Sequence, residues 1–149
     1  DAYVGGMLHD MGKILFSAVH PDLLEHIKKF CVSKNIDTKL FEDVAGGMSH
    51  PEIGARVAEK WNFPDTLVAA IRYHHEPELM TTDYKDIVFT VYLANVLCEF
   101  ESGNMNYEQI SPIVLQDFGF LSEKQFARVS EQFKNAFAQE LAAQKEKRR

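Results

Sequence analysis

Five side chains able to hold a cation through nitrogen or oxygen stand out in this chain. His9 and Asp10 are adjacent in V-G-G-M-L-H-D-M-G-K, His50 lies in S-H-P, and His74 and His75 form a second adjacent pair. Each sits among apolar residues at helical spacing, which predicts positions at helix ends or on buried faces. Neutral imidazoles with a carboxylate suit zinc, iron, manganese or cobalt. A buried His–Asp pair is costly unless it binds a metal or finds full hydrogen-bond partners. One histidine on an apolar face is satisfied as a core residue, but two in succession each need a polar partner of their own. An aspartate shared between two clusters of nitrogen ligands could hold two metals and activate water against a phosphoester. Lys13, one turn beyond the H-D pair, adds a positive charge beside it. His20 and His26 flank or lie on a neighbouring helix, where surface or capping roles are expected.

The elements that position these groups read as helices throughout. The first is expected over 4–16, with Val4, Met7, Leu8, Met11 and Leu15 forming its buried face and Gly5, Gly6, His9 and Lys13 forming another. Three glycines in one helix (Gly5, Gly6, Gly12) cost roughly 0.8–1 kcal/mol each relative to alanine, so close approach of another backbone or a ligand should offset them. Pro21 opens a second helix reaching about residue 34, with Leu23, Leu24, Ile27, Phe30 and Cys31 on its apolar face. Asp37 caps a short helix through Val44, broken by Gly46-Gly47. Pro51 as a first helical residue leaves His50 at the cap of the next helix, where Ile53, Val57 and Trp61 recur every four residues. Asn62-Phe63-Pro64 ends that helix and starts another, on which Leu67, Val68, Ile71, His74 and His75 share a face.

A helix over 84–101 carries Ile87, Val88, Val91, Leu93 and Ala94, with Asn95 on the side of Val88, Val91 and Cys98. A buried asparagine there requires polar surroundings. Ser102 to Asn106 is a loop, and Ser111-Pro112 opens a short helix. Ser122 and Gln125 have capping-box spacing, with Leu121 placed to staple onto Phe126. Phe126, Val129, Phe133, Phe137 and Leu141 form a long apolar stripe expected to pack on the core or a partner helix. No run shows period-two alternation, so the fold class is all-α.

The 149 residues suffice for one domain with a real core, and 46% are hydrophobic with no repeat or low-complexity run. A net charge of −6 argues against a nucleic-acid polymer as partner. Cys31 and Cys98 sit in apolar patterns and read as buried free thiols in a reducing, cytoplasmic compartment. The longest apolar stretch, 87–98, falls short of the roughly 20 residues a membrane span needs, and no signal peptide is visible. The chain opens at Asp1 without a methionine and enters a helix at once. The expectation is an excised or processed part of a longer protein, with N-terminal helices missing.

The order L-H-D-M-G-K, then H-P-E-I-G-A with W-N-F-P, then H-H-E-P resembles the HD-domain superfamily of metal-dependent phosphohydrolases. Within it the chain is similar to the HDOD branch, relatives of the HD-GYP cyclic-di-GMP phosphodiesterases. The resemblance covers about 1–98; 101–149 carries no motif but suits the helical tail of such domains. It implies an HD-like helical bundle, one domain with a motif-bearing core over 1–100 and C-terminal helices over 101–149. It implies His9 and Asp10 as paired ligands with Asp10 bridging, Lys13 as the basic residue contacting substrate phosphate, and His50, His74 and His75 at the second metal position. The implied cofactor is a divalent metal (iron, manganese, zinc or magnesium), as one or two ions.

Three positions depart from the family pattern. The superfamily's first ligand, a histidine upstream of H-D, has no counterpart within the chain. The aspartate of the A-D step is Asn95, in Tyr92-Leu93-Ala94-Asn95, which removes a charge from one metal position. His75-Glu76-Pro77 is not followed by a G-Y-P signature. The resemblance therefore implies a bacterial signal-transduction output module whose pocket binds a metal or nucleotide, and whose partners are other signalling domains or proteins, or a phosphate-containing small molecule. The alternatives are a working phosphohydrolase or phosphodiesterase using Asp10 and Lys13, and a purely structural helical domain. No membrane partner is expected.

Overall fold

Small residues, more than large apolar ones, decide how the helices meet. The computed structural model describes residues 1–19, 22, 25, 26, 29, 33, 48–80 and 83–147, and among these there is no strand. The all-α expectation holds. Two compact units form, 1–92 and 93–149.

In the first unit the helix expected over 4–16 is two helices, α1 (Ala2–Leu8) and α2 (Met11–Val19), with His9 and Asp10 in the turn between them. The His9 N–H still reaches the Gly5 carbonyl at 2.8 Å, but the Lys13 N–H bonds to Asp10, only three residues back, at 2.9 Å. The winding tightens at the H-D pair and re-aims the chain. The inward face differs accordingly. Val4 and Met7 are exposed, Met7 by 67%, while Leu8 and Met11 pack on a cluster of Ala55, Ala58, Val68 and Ile71.

Glycine sets the helix crossings. A Cβ on Gly12 would overlap the His50 carbonyl oxygen and come within 3.0 Å of the Gly54 nitrogen. One on Gly54 would meet Ile71 Cγ2 at 2.9 Å. α2 therefore lies backbone to backbone against α3 (His50–Lys60), which packs in turn on α4 (Asp65–Tyr73). Gly5 faces Val91 and Ala70 where α1 meets its neighbours, whereas a Cβ on Gly6 would meet nothing within 4 Å among the described residues.

The N-cap of α3 is Ser49, which makes His50 the first helical residue and Pro51 the second, one step on from the expected register. Its buried face is His50, Pro51, Gly54, Ala55 and Ala58. Ile53 and Val57 are half-buried and Trp61 is 59% exposed, contrary to the stripe expected from their spacing. Asn62 takes a left-handed φ of 56°, and the Phe63 N–H returns to the Ala58 carbonyl at 3.0 Å, closing the helix as a Schellman motif. Pro64 then caps α4, whose residues Leu67 to Ile71 are all buried.

A single 3₁₀ turn, Pro77–Leu79, precedes α5 (Lys85–Glu101), which runs from the first unit into the second. Val88, Phe89, Val91 and Tyr92 are buried on its first-unit part, and Val96 and Leu97 on its second. Cys98 is a free thiol but exposed, not buried as its apolar neighbours predicted.

In the second unit a 3₁₀ turn, Tyr107–Gln109, leads to α6 (Pro112–Asp117) and α7 (Glu123–Lys147). Phe126 is fully buried against the rings of Phe100, Tyr107 and Phe120. The Gln125 N–H bonds to Ser122 Oγ, but the Gln125 side chain accepts from the Leu121 N–H, and Leu121 is 88% exposed, so no staple to Phe126 forms. Only the first turns of the expected stripe pack, because Phe133, Phe137 and Leu141 are exposed. Ser130 and Lys134 instead hold Glu101 at 2.6 and 2.8 Å, tying α7 to the end of α5.

Asp22, Glu25, His26, Lys29 and Ser33 are helical, as the reading of the second helix requires, and exposed His26 bonds the Asp22 carbonyl. His20, Pro21, Leu23, Leu24, Ile27, Phe30, Cys31, the short helix from Asp37 to Val44 and Gly46-Gly47 lie outside the described residues. Among those described, no helix is long and apolar enough to cross a membrane.

Candidate metal centre

Two helix C-termini and one N-terminus bring the centre together. His9 caps the end of α1, His74 caps the end of α4, and His50 opens α3. The last carbonyls of a helix lack intrahelical donors, and here two of them are used. His9 Nδ1–H donates to the Gly6 carbonyl and His74 Nδ1–H to the Ile71 carbonyl, each at 2.7 Å. These bonds occupy Nδ1 of each ring and leave Nε2 turned away from its own helix. The negative ends of α1 and α4 also favour a cation nearby.

Four side chains converge. Asp10, His50, His74 and His75 offer ligand atoms that all lie within 4.8 Å of one another. His50 Nε2 is 3.3 Å from His74 Nε2, and Asp10 Oδ1 is 3.3 and 3.6 Å from those two nitrogens. Metal–ligand bonds of about 2.0–2.1 Å put neighbouring tetrahedral ligands roughly 3.3–3.4 Å apart, so three of the four already have coordination spacing. His50 and His74 are fully buried. Among the described residues, buried His75 Nε2 has no hydrogen-bond partner. An orphaned buried ring nitrogen needs an explanation, and a cation supplies one. The donor set therefore fits a divalent metal ion.

His9 stands beside this group on the other carboxylate oxygen, its Nε2 3.5 Å from Asp10 Oδ2 and its ring edge-on to His74. Lys13 Nζ lies 2.8 Å from Asp10 Oδ1 and 2.9 Å from Oδ2. Asn95 belongs to the second unit, where it is half-buried and donates to Glu99 Oε1 at 3.1 Å. The backbone groups that orient the rings, Gly6 and Ile71 carbonyls, carry no residue-type signal. The only clue to them is a histidine placed three residues after a carbonyl in the last turn of a helix.

Electrostatics follow from burial. Burial opposes ionisation of Asp10, but the close polar contacts of His50, His74 and Lys13, with the Lys13 charge, hold its carboxyl well below the usual carboxylate range. Burial pushes the His74 imidazole down from 6.5. Burial, aided by His74 and His50, pushes His75 down to about 2. Neutral imidazoles facing an ionised aspartate are the protonation states that a metal requires.

This sets a pH dependence for the metal-free protein. Below about pH 6.5 the unfolded chain takes up protons at His74 and His75 that the folded chain refuses, so stability falls on acidification. The depressed Asp10 acts in the same direction, but only below its unfolded value of 3.8. In chelator, the melting temperature should therefore drop between pH 7 and pH 5, and His75→Asn should lessen the drop. A flat profile over that range contradicts neutral burial of the pair.

A family model described as the HDOD domain matches residues 1–77, over half of the chain, including every residue of the convergent group. The chain belongs to the HDOD family. It is a signalling-related, HD-like helical domain. This HDOD domain is also 31% identical over 143 residues to an uncharacterized protein of Treponema pallidum (strain Nichols), a match covering 96% of the chain and 28% of that protein. The chain thus spans little more than a quarter of the length of this relative. No solved structure matches it.

Proposed function

We propose that this HDOD domain is a regulatory module of a bacterial signalling protein that binds one divalent transition-metal ion through Asp10, His50, His74 and His75. The observations that carry the reading are the convergence of these four groups and a buried His75 Nε2 that has no hydrogen-bond partner among the described residues. Asn95, a neutral amide where the superfamily has a carboxylate, supports regulation over turnover, because a working binuclear centre relies on that extra negative charge. Its output would pass to other signalling domains or proteins in the cytoplasm.

A second reading, a metal-dependent phosphohydrolase or phosphodiesterase, is favoured by one feature. Asp10 and Lys13 side chains are 39% and 36% exposed, so the centre opens to solvent on their side. Catalytic sites keep such an open position. A bound metal would there supply a Lewis acid and an activated water. Asp10 would orient it, and Lys13 would offset charge on the phosphate of a small molecule or nucleotide.

The two readings separate in one assay. Manganese-, iron- or zinc-loaded protein is incubated with bis(p-nitrophenyl) phosphate, and release of nitrophenol is followed. The regulatory reading expects no turnover above that of His74→Ala. Turnover that disappears in His74→Ala establishes the hydrolase instead. Asn95→Asp probes the family's missing carboxylate. If Asn95 belongs to the ligand shell, metal occupancy rises, at the cost of a like-charge pair with Glu99 of about 0.2–0.5 kcal/mol. Unchanged occupancy removes Asn95 from the shell.

A further inference from the structure

Asp10 is the hinge of two half-sites. Its Oδ1 faces His50 and His74 at 3.3 and 3.6 Å, with His75 in the same group. Its Oδ2 faces His9 Nε2 at 3.5 Å. His9 Nδ1 is committed to the Gly6 carbonyl, so Nε2 is the ring nitrogen turned toward Oδ2. The carboxylate already has a cation of the chain's own beside it, because Lys13 Nζ contacts both Asp10 oxygens at 2.8 and 2.9 Å.

We infer that Lys13 is a resident second cation of this centre. Its ammonium neutralises Asp10 in the metal-free protein, takes the place on the Oδ2 side that would otherwise go to a second metal, and lowers affinity for the ion on the Oδ1 side. The inference rests on the metal-binding reading proposed above. Lys13 reaches this position through local geometry, since the tightened turn at Asp10 puts it three residues on, at the first turn of α2. An ion bound to Oδ1 must share that oxygen with an ammonium already in contact with it. Two cations on one carboxylate repel, and the metal affinity is reduced by that repulsion.

The consequence is that removing the lysine charge tightens metal binding. A phosphate-contacting or purely structural lysine predicts no change or a loss. Full-length chains with Lys13→Met, Lys13→Gln, Lys13→Arg and His74→Ala are compared with wild type. Each is stripped with chelator and titrated with Co²⁺ at fixed pH and ionic strength, following the visible absorption of the bound ion and its stoichiometry by equilibrium dialysis. Lys13→Met and Lys13→Gln should bind the first ion about tenfold more tightly, the effect of deleting one positive charge a few ångströms away. Lys13→Arg should stay near wild type. A second equivalent should appear only in the neutral variants.

Wild type that binds cobalt, with both neutral variants binding no more tightly, overturns the Lys13 inference and leaves the metal centre standing. Absence of binding in wild type and in both neutral variants overturns the metal reading and the inference together. Circular dichroism of the stripped proteins checks that Met or Gln at this position folds, and either variant alone suffices for the comparison.

Discussion

His74→Ala is expected to lower divalent-metal affinity by roughly 100-fold or more, since loss of an orienting outer partner alone typically costs 10–100-fold and His74 supplies the ligand atom itself. The argument is geometric. His74 Nε2 lies 3.3 Å from His50 Nε2 and 3.6 Å from Asp10 Oδ1, and its Nδ1–H is held by Ile71. Removing it leaves His50 and Asp10 facing an empty corner, with His75 as the remaining donor. Asp10→Asn should be as severe, because it also removes the centre's one negative charge. His26→Ala, on an exposed ring bonded to its own helix, should change nothing. Thermal denaturation reads the same effect. An ion at 100 times its Kd stabilises the folded chain by about 2.7 kcal/mol. That increment should appear in wild type and vanish in His74→Ala. Equal metal-induced shifts in both would exclude His74 from the ligand set.

The second large effect concerns the backbone that carries the centre. Gly12→Ala should destabilise the first unit by about 3 kcal/mol or more, in the range of severe core overpacking. A Cβ there would overlap the carbonyl of His50, which is backbone and has no rotamer to change. Relief requires α2 and α3 to separate, which would shift Asp10 relative to His50 and weaken metal binding as well. Gly6→Ala is the matched control. Among the described residues nothing lies within 4 Å of its would-be Cβ, so alanine should stabilise α1 by about 0.5–1 kcal/mol through helix propensity alone. Urea unfolding of the two variants measures the difference. A Gly12→Ala protein as stable as wild type would mean the α2–α3 crossing is looser than described.

These two variants also mark what the sequence could and could not reveal. The convergence of Asp10 with His74 and His75 is legible, because adjacent polar pairs such as His9-Asp10 and His74-His75 within apolar helical patterns have few structural uses. The glycine argument is legible at Gly12, where helix cost does signal backbone contact, but not at Gly6, whose would-be Cβ meets nothing within 4 Å among the described residues. The buried faces were misjudged in α1 and α3 for one reason. Periodicity ranks positions by hydrophobicity and so selected Met7 and Trp61, whereas close helix crossings select small side chains such as Gly54, Ala55 and Ala58. The break at His9-Asp10 was hidden too, since both halves keep the same apolar spacing and only an i,i+3 bond from Lys13 to Asp10 reveals the tightened turn. In the second unit, Phe126 was rightly placed inside, but the rest of its stripe shows that spacing alone does not say what covers a face.

The most direct measurement is elemental analysis of the protein purified without added metal or chelator, beside His74→Ala prepared identically. The account predicts about one equivalent of iron, manganese or zinc per wild-type chain and a trace in the variant. No metal in wild type, even after incubation with each ion, or equal metal in both proteins, would contradict it.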